Sequence, residues 1–404
     1  MGPNDYLDTL RPLAMRFGLE RMDRALEALG RPDRDLAILH VAGTNGKGST
    51  CAMAAEALRR AGHRVGLYTS PHLVRFHERI QVDGRPIDDD ALAARIAEVR
   101  SACPWHEQGG EGDRLTYFEF ATLVGLLHLA RERVDAAVVE VGLGGRFDAT
   151  SAVTPRVAAV SRIGLDHMQF LGDRVDAIAR EKAGIFKPGV PAVVASAQPP
   201  EAMAALRDEA ERRGAPFHVA ADSWSGPVAL RGPHQRGNAA LAAAALRLLD
   251  AAGVRVGEEE IRAGIASTRW PGRMEEVGGV LLDGAHNPDG AAALAAALPV
   301  LHPGRPVEMV FGVLSDKDHE GMLAALAPAA RRIHLVAPDS PRARDPGSYL
   351  ATVRRLGAAV DVHGSLPEAL GCAREAATDG ALVCVAGSLY LVGEARSLLT
   401  GERM

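Results

Sequence analysis

The sequence predicts an α/β protein in two unequal parts: a large phosphate-loop ATPase domain around a central, mostly parallel sheet, followed by a smaller Rossmann-like α/β domain. Three observations carry that prediction. An apolar run at 36–41 leads into a glycine-rich turn, Gly43 through Thr50 (GTNGKGST), and then into an alanine-rich helical stretch that ends near Gly62. Short apolar runs then alternate with helical periodicities along the whole chain, the pattern of a parallel sheet covered by helices. Finally, Trp270-Pro271-Gly272-Arg273 breaks the alternation, which restarts after it. Proline and glycine together at such a break mark a domain joint, giving domains 1–271 and 272–404.

A chain of 404 residues is long enough for two domains and a large core. Its 47% hydrophobic and 24% charged residues are ordinary for a globular protein. A net charge of −5 argues against a nucleic-acid surface, so anionic substrates have to be drawn in by local lysines and arginines. The four cysteines, Cys51, Cys103, Cys372 and Cys384, lack metal-binding spacing and read as reduced thiols of a cytoplasmic protein. Asp5, Asp8, Arg11 and Arg16 exclude a signal peptide. The most apolar stretch, 237–253, is interrupted by Arg247 and Asp250, so no membrane span is expected.

In order, residues 1–35 read as helix and turn, with Leu19, Met22, Leu26 and Leu29 at helical spacing. After the glycine loop unit, 64–68 is a second strand that Pro71 stops. A polar connection covers 75–90, a helix runs from 89 to about 101, and 107–113 is a flexible, glycine-bearing loop. A long helix at 115–133 precedes a strand at 135–141 and a second glycine turn, 142–148. Strands at 157–161, 191–196 and 216–219 alternate with helices at 176–184 and 201–213, and Asn238 opens an alanine- and leucine-rich helix. Beyond the joint, strands are expected near 280–282, 307–311, 333–336, 359–362 and 382–385.

Strand, glycine loop and helix N-terminus cradle phosphate, because backbone N–H groups converge there and the helix end adds partial positive charge. Lys47 reaches the outer phosphates, and Ser49 or Thr50 can hold a magnesium ion. The spacing departs from the general phosphate-loop pattern: only Thr44 and Asn45 separate Gly43 from Gly46, and Gly48 stands between Lys47 and Ser49. A plain strand-to-helix turn is the simpler alternative. Ser70, Glu140 and His167 each sit at or shortly after the end of an apolar strand, so all three converge at one carboxyl edge, where open α/β sheets place their ligands. A hydroxyl, a carboxylate and an imidazole there can hold a divalent ion that bridges to phosphates. Singly, Ser70 reads as a turn former, Glu140 as half of an ion pair and His167 as a loop histidine.

The stretches HVAGTNGKGST, TSPHLVRFHERI, TYFEFATL, EVGLGGRFDAT, GLDHMQFLG, EKAGIFKPG, WPGR, DGAHNPDG and AGSLYLVG resemble, in the same order and over nearly the whole chain, the folylpolyglutamate synthase and bifunctional dihydrofolate synthase group of the Mur ligase superfamily. A glycine after the loop lysine is usual in that group. The resemblance implies ATP-dependent ligation of L-glutamate to dihydropteroate and to folates, through an acyl phosphate. It implies Gly46, Lys47, Gly48 and Ser49 on the ATP phosphates, Asn238, Arg273 and Asp283 as further ATP contacts, and Ser70, Glu140 and His167 as ligands of two magnesium ions. Lys182 matches a lysine the family carries as a carbamate, which requires a neutral amine; from the residues alone it reads as an exposed helix lysine paired with Glu181 or Asp176. The pterin pocket carries over to Thr116, Tyr117, Phe118, Glu119, Phe147, Asp148 and Ala149, although Tyr117 and Phe118 also fit a core. His286 counts with Lys47 and Lys182 as catalytic. Asn287, before Pro288, is a site residue or only a helix cap. Ser388, at a helix N-terminus, is a candidate for the glutamate carboxylate. Arg342 and Arg344 read as solvated loop charges.

Three rivals remain. A cell-wall ligase of the same superfamily would need a nucleotide-sugar domain, and only 42 residues precede Gly43. A folylpolyglutamate synthase without dihydropteroate activity is the second, although the TYFEF and RFDAT stretches resemble the bifunctional bacterial form. A phosphate-loop nucleotide switch would need neither a carboxylate substrate nor a second α/β domain. The expected working unit is a monomer, without nucleic acid or membrane.

Overall fold

Continuous apolar runs become strands buried on both faces when helices cover both sides of a parallel sheet. In the computed structural model, which describes residues 3–10, 16, 18–378 and 380–402, they build two sheets. Arg11, in the charged N-terminal stretch, lies outside the described residues. The first sheet contains β1 (Ile38–Ala42), β2 (Val65–Tyr68), β3 (Ile80–Val82), β4 (Arg85–Pro86), β5 (Ala136–Glu140), β6 (Val157–Val160), β7 (Ala192–Val194) and β8 (Phe217–Val219). Their spatial order is β4-β3-β2-β5-β1-β6-β7-β8. β1 lies between β5 and β6 and runs parallel to both. β2, β7 and β8 continue the parallel set.

β3 and β4 are antiparallel and fall in the connection expected to be strandless. Asp83 and Gly84, both left-handed at φ 52° and 76°, make the tight turn between them. An Asp-Gly pair is a strong hairpin signal, but two- and three-residue strands are too short for periodicity to register. The 107–113 segment also differs from expectation. Trp105–Gln108 forms a helical turn, and Leu115 N–H donates to the buried His106 Nδ1 at 2.9 Å, which pins the segment.

The alternation of β1 divides the core. Leu39 and Val41 pack against helices Lys47–Arg60, Gln235–Ala251 and Glu258–Ser267 on one face. Ile38 joins Tyr68 and Val139 under helices Glu20–Ala28, Asp89–Ala102 and Tyr117–Arg131 on the other. The last of these helices on the first sheet ends at Ser267, and the second sheet begins at Glu275. The second sheet holds β9 (Glu275–Val277), β10 (Val280–Leu282), β11 (Val307–Phe311), β12 (Arg332–Leu335), β13 (Ala359–Val362) and β14 (Leu382–Ala386), ordered β13-β12-β11-β14-β10-β9. Only β9, which the apolar pattern missed, is antiparallel. Among the described residues no helix is long and apolar enough to cross a membrane.

Helix Glu258–Ser267 meets helix Lys47–Arg60 closely at Gly264, where an added Cβ would stand 2.4 Å from Ala57 Cα and 2.6 Å from Ala57 N. Backbone cannot yield as a side chain can. Gly264→Val is therefore expected to force the two helices apart, at a cost of about 1–3 kcal/mol. Thermal unfolding checks this: an unchanged midpoint would contradict the contact.

Candidate active site

The carboxyl ends of the central strands carry the chemistry. After β1 the chain turns through Gly46 (φ 90°) into helix Lys47–Arg60. A Cβ on Gly46 would fall 2.2 Å from Asn238 Oδ1, so the Asn238 amide rests on the loop. Lys47 Nζ donates to the Thr44 carbonyl at 3.2 Å, which holds the ammonium over the turn. Thr44 and Asn45 N–H groups donate to the Arg162 carbonyl at 3.0 and 3.2 Å, tying the loop to the segment after β6. Of the two hydroxyls that could serve a metal, Ser49 lines the cleft, whereas Thr50 is buried in the helix with its Oγ1 unpaired.

Ser70 follows β2 and Glu140 ends β5, and the Ser70 N–H donates to Glu140 Oε2 at 3.2 Å. Glu140 is 5% exposed. Burial pushes its carboxyl up, while Lys47, the Ser70 N–H, Arg273 and Arg79 favour the carboxylate. A buried carboxylate beside a hydroxyl and a phosphate loop suits a hard divalent cation. His167 follows β6 in left-handed conformation, φ 51°. Burial first, with Lys317 and Lys47 adding to it against the opposing pull of Asp166, lowers its imidazole to about 4. His167 is therefore neutral at pH 7, the form that can ligate a metal, and its Nε2 lies 3.4 Å from Lys317 Nζ.

Lys182 ends helix Val175–Lys182 and is 5% exposed. The exposed-lysine alternative is thus overturned: Asp176 pairs with Arg174 at 3.0 Å and Glu181 with Arg146 at 3.4 Å instead. Burial, with Lys47 second, lowers the Lys182 amine to about 7. A neutral amine is the form that can add carbon dioxide.

One wall of the cleft is the start of helix Tyr117–Arg131. Thr116 Oγ1 accepts the Glu119 N–H at 3.3 Å, and Glu119 Oε2 accepts the Thr116 N–H at 2.7 Å, a reciprocal cap. Glu119 Oε1 also takes Arg21 Nη2 at 2.8 Å. Both its oxygens are engaged, so Glu119 fixes the helix start that carries Tyr117 and Phe118. Those two rings are half-buried, packed on the core and facing the cleft at once. Asp148 accepts the Leu143 N–H at 2.8 Å and the Thr150 N–H at 3.0 Å, which shapes the glycine turn and leaves Phe147 46% exposed beside Ala149.

The opposite wall comes from the second sheet. After β10, Asp283 accepts N–H groups of Met274 and Ala285, each at 3.0 Å. His286 Nδ1 lies 2.8 Å from the Gly284 carbonyl, so that nitrogen carries the proton and Nε2 points to Asp166 Oδ2 at 3.5 Å. Asn287 is both cap and site residue: its Oδ1 accepts the Gly290 N–H at 2.8 Å, and its amide exchanges hydrogen bonds of 3.0 and 3.1 Å with Asn45. After β11, Lys317 Nζ donates to Asp166 Oδ1 at 2.6 Å. Burial alone would raise the Asp166 carboxyl, but His286, Lys317 and His167 outweigh it and hold it well below the usual carboxylate range. Ser388, after β14, caps helix Leu389–Thr400 by accepting the Tyr390 N–H at 3.1 Å.

Between the walls lies a cleft of about 920 Å³, the size of a large ligand pocket. Of the residues singled out in the sequence, Thr50 and Asn287 do not line it; the others assigned to catalysis, metal, nucleotide or substrate do. Lys317 and Asp166 line it too and were missed as site residues. The strand-end rule would have found Lys317, six residues past the end of β11. Arg342, read as a solvated charge, is exposed at the cleft mouth, with its guanidinium 5.8 Å from the Tyr390 ring centre.

Residues 41–219 match the middle domain of Mur ligases, and residues 272–389 match the Mur ligase glutamate ligase domain. The chain is 38% identical to a dihydrofolate synthase/folylpolyglutamate synthase of Bacillus subtilis over 81% of its length and 82% of the relative's. It superposes on Escherichia coli FolC in complex with DHPP and ADP with a TM-score of 0.89 and 34% identity, over 100% of this chain and 99% of that one. On Mycobacterium tuberculosis folylpolyglutamate synthase complexed with ADP the TM-score is 0.91 at 32% identity, over 99% and 98% of the two chains.

Burying Lys182 has a measurable consequence. A lysine whose folded pKa lies near 7, against 10.5 when free, destabilises the fold most below pH 7, and the penalty fades as pH rises toward 10 and the unfolded amine also loses its proton. Lys182→Met is therefore expected to raise the thermal midpoint at pH 6–7, with the gain shrinking toward pH 10, while abolishing turnover. A midpoint lowered equally at every pH would contradict the buried amine.

Proposed function

Since the chain belongs to the Mur ligase family, in its folate synthase branch, we propose that it joins L-glutamate to dihydropteroate, forming dihydrofolate, and to the γ-carboxylate of folates, at the expense of ATP. It is an ATP-dependent ligase acting on folate-type substrates. The observation that carries the reading is one cleft in which a phosphate loop, a buried lysine and an aromatic wall meet cationic groups of a second lobe.

In this reading the lobes are 1–271 and 272–404. Gly46, Lys47, Gly48 and Ser49 cradle the ATP phosphates, with Asn238 against the loop. Arg273 and Asp283 contact the nucleotide from the second lobe, and Arg273 adds a cation where negative charge develops. The acceptor lies against Tyr117, Phe118, Phe147 and Ala149, whose flat and partly exposed surfaces suit a pterin and its aryl ring. Thr116, Glu119 and Asp148 hold those surfaces in shape. The acceptor carboxylate oxygen attacks the terminal phosphorus of ATP, ADP leaves, and an acyl phosphate forms. The glutamate amine then attacks the acyl carbon and inorganic phosphate departs. His286, fixed through Nδ1 on the Gly284 carbonyl with Nε2 toward Asp166, stands on the second wall of the cleft, where it positions the attacking amine. The helix start at Ser388 supports a role in receiving a glutamate carboxylate.

Ser70, Glu140 and His167 fit a site for magnesium, because a hydroxyl, a buried carboxylate and a neutral imidazole are available beside the phosphate loop. Two such ions would neutralise phosphate charge and orient the terminal group. Lys182 as a carbamate would turn a cation into an acid group on the same side of the cleft. Both walls come from one chain, so a monomer supplies every group, and the cytoplasm is the compartment in which ATP and reduced thiols agree.

The test is phosphate release from ATP. Release is expected only when dihydropteroate, or a folate, and L-glutamate are both present. Release indifferent to both would favour a nucleotide switch, and release with tetrahydrofolate but not dihydropteroate would restrict the enzyme to polyglutamylation.

A further inference from the structure

The second lobe carries a polar cluster that the cleft does not use. Strand register sets His334 of β12 beside Asp361 of β13, and His363 follows the end of β13. His334 Nδ1 and His363 Nε2 lie 3.0 Å apart. One ligand atom from each of His334, Asp361 and His363 falls within 4.8 Å of the others. None of the three lines the cleft.

What surrounds the cluster is as specific as the cluster itself. The far nitrogen of each imidazole faces a carboxylate: His334 Nε2 lies 3.0 Å from Glu308 Oε2, and His363 Nδ1 lies 3.8 Å from Glu368 Oε1. Arg332 Nη1 donates to Asp361 Oδ2 at 2.6 Å. The His334 and His363 side chains are 1% and 6% exposed, whereas Asp361 is 45% exposed. The cluster is thus closed toward the core and open at one rim.

We propose that His334, His363 and Asp361 form a binding site for a divalent transition metal of the zinc class, separate from the catalytic cleft. Two imidazole nitrogens and one carboxylate oxygen are a zinc donor set, with a fourth position left for water at the open rim. Metal–nitrogen bonds of about 2.0–2.1 Å at a tetrahedral angle put two nitrogens roughly 3.3 Å apart, so the nitrogens need to separate by a few tenths of an ångström and the two rings, whose centres lie 5.2 Å apart with the nitrogens facing each other, need to turn toward a shared point at the rim. Glu308, 3.0 Å from His334 Nε2, stands where an outer carboxylate fixes the tautomer and orientation of a ligating histidine, and Glu368 lies on the corresponding side of His363 at 3.8 Å. The hard oxygen-loving ions expected in the cleft have no preference for two imidazoles.

The proton count balances without loss. With Nε2–H of His334 donated to Glu308, its Nδ1 lone pair accepts the Nε2–H of His363. Metal entry replaces that shared hydrogen, and the proton moves from Nε2 to Nδ1 of His363, facing Glu368. The cation gives up water as the three ligands bind.

The experiment is titration of the full chain with Zn²⁺ by calorimetry, in millimolar Mg²⁺ and ADP to occupy the cleft, comparing wild type with His363→Gln and Asp361→Asn. One equivalent is expected to bind wild type, and each variant is expected to lose at least about tenfold in affinity, since even outer-ligand changes cost 10–100-fold. Co²⁺ in place of Zn²⁺ should give visible ligand-field bands that both variants lose. Asp361 stands at the exposed rim, so Asp361→Asn keeps the test valid if the histidine variant does not fold. Absence of binding to wild type, or equal affinity in wild type and a folded variant, would overturn the site and leave the imidazoles as a hydrogen-bonded pair.

Discussion

Asp166 is a carboxylate from the first lobe, 8% exposed, held by Lys317 of the second at 2.6 Å. An isolated buried charge is too costly to keep, so this carboxylate holds the lobes together only while Lys317, His286 and Asn287 stay on it. Asn287 reaches it at 3.2 Å and at the same time exchanges hydrogen bonds with Asn45 in the phosphate loop. The position of the loop relative to the second lobe is thereby set by the buried Asn287 at the edge of the cleft. The contact that joins the two sheets' edges therefore also fixes the walls of the cleft.

The site is cationic inside an acidic protein. The net charge of −5 offers ATP or a folate no long-range attraction. Lys47, Lys317 and Arg273 supply the positive field locally, at strand ends walled by low-dielectric core. Crowding of these cations also depresses Lys182: burial acts first, and Lys47 and Lys317 add to it. The same cations that crowd the phosphate loop thus lower the proton affinity of a buried amine.

The sheet edge was legible in the sequence because the rule behind it is topological. A polar residue just after a buried parallel strand must emerge at the carboxyl edge, and Ser70, Glu140 and His167 do so. Lys182 was not legible from periodicity, since its burial depends on the 142–148 turn folding over the helix end: Arg146 N–H donates to the Glu181 carbonyl at 2.8 Å. Nor was the division of labour among Thr116, Glu119 and Asp148, whose polar atoms serve backbone N–H groups and Arg21. The β3–β4 hairpin and β9 escaped because they are too short for an apolar pattern. The pairing of Asp166 with Lys317, 151 residues apart, exists only once two domains face each other.

The most direct test of the account is a double-mutant cycle on kcat/KM for substrate-dependent phosphate release, using Asp166→Asn, Lys317→Met and the pair together. If the two side chains act as one unit across the lobes, each single change impairs turnover strongly and the double change is no worse than the more damaging single one. Independent effects that multiply in the double variant would contradict the claim that this buried contact joins the lobes into a working site.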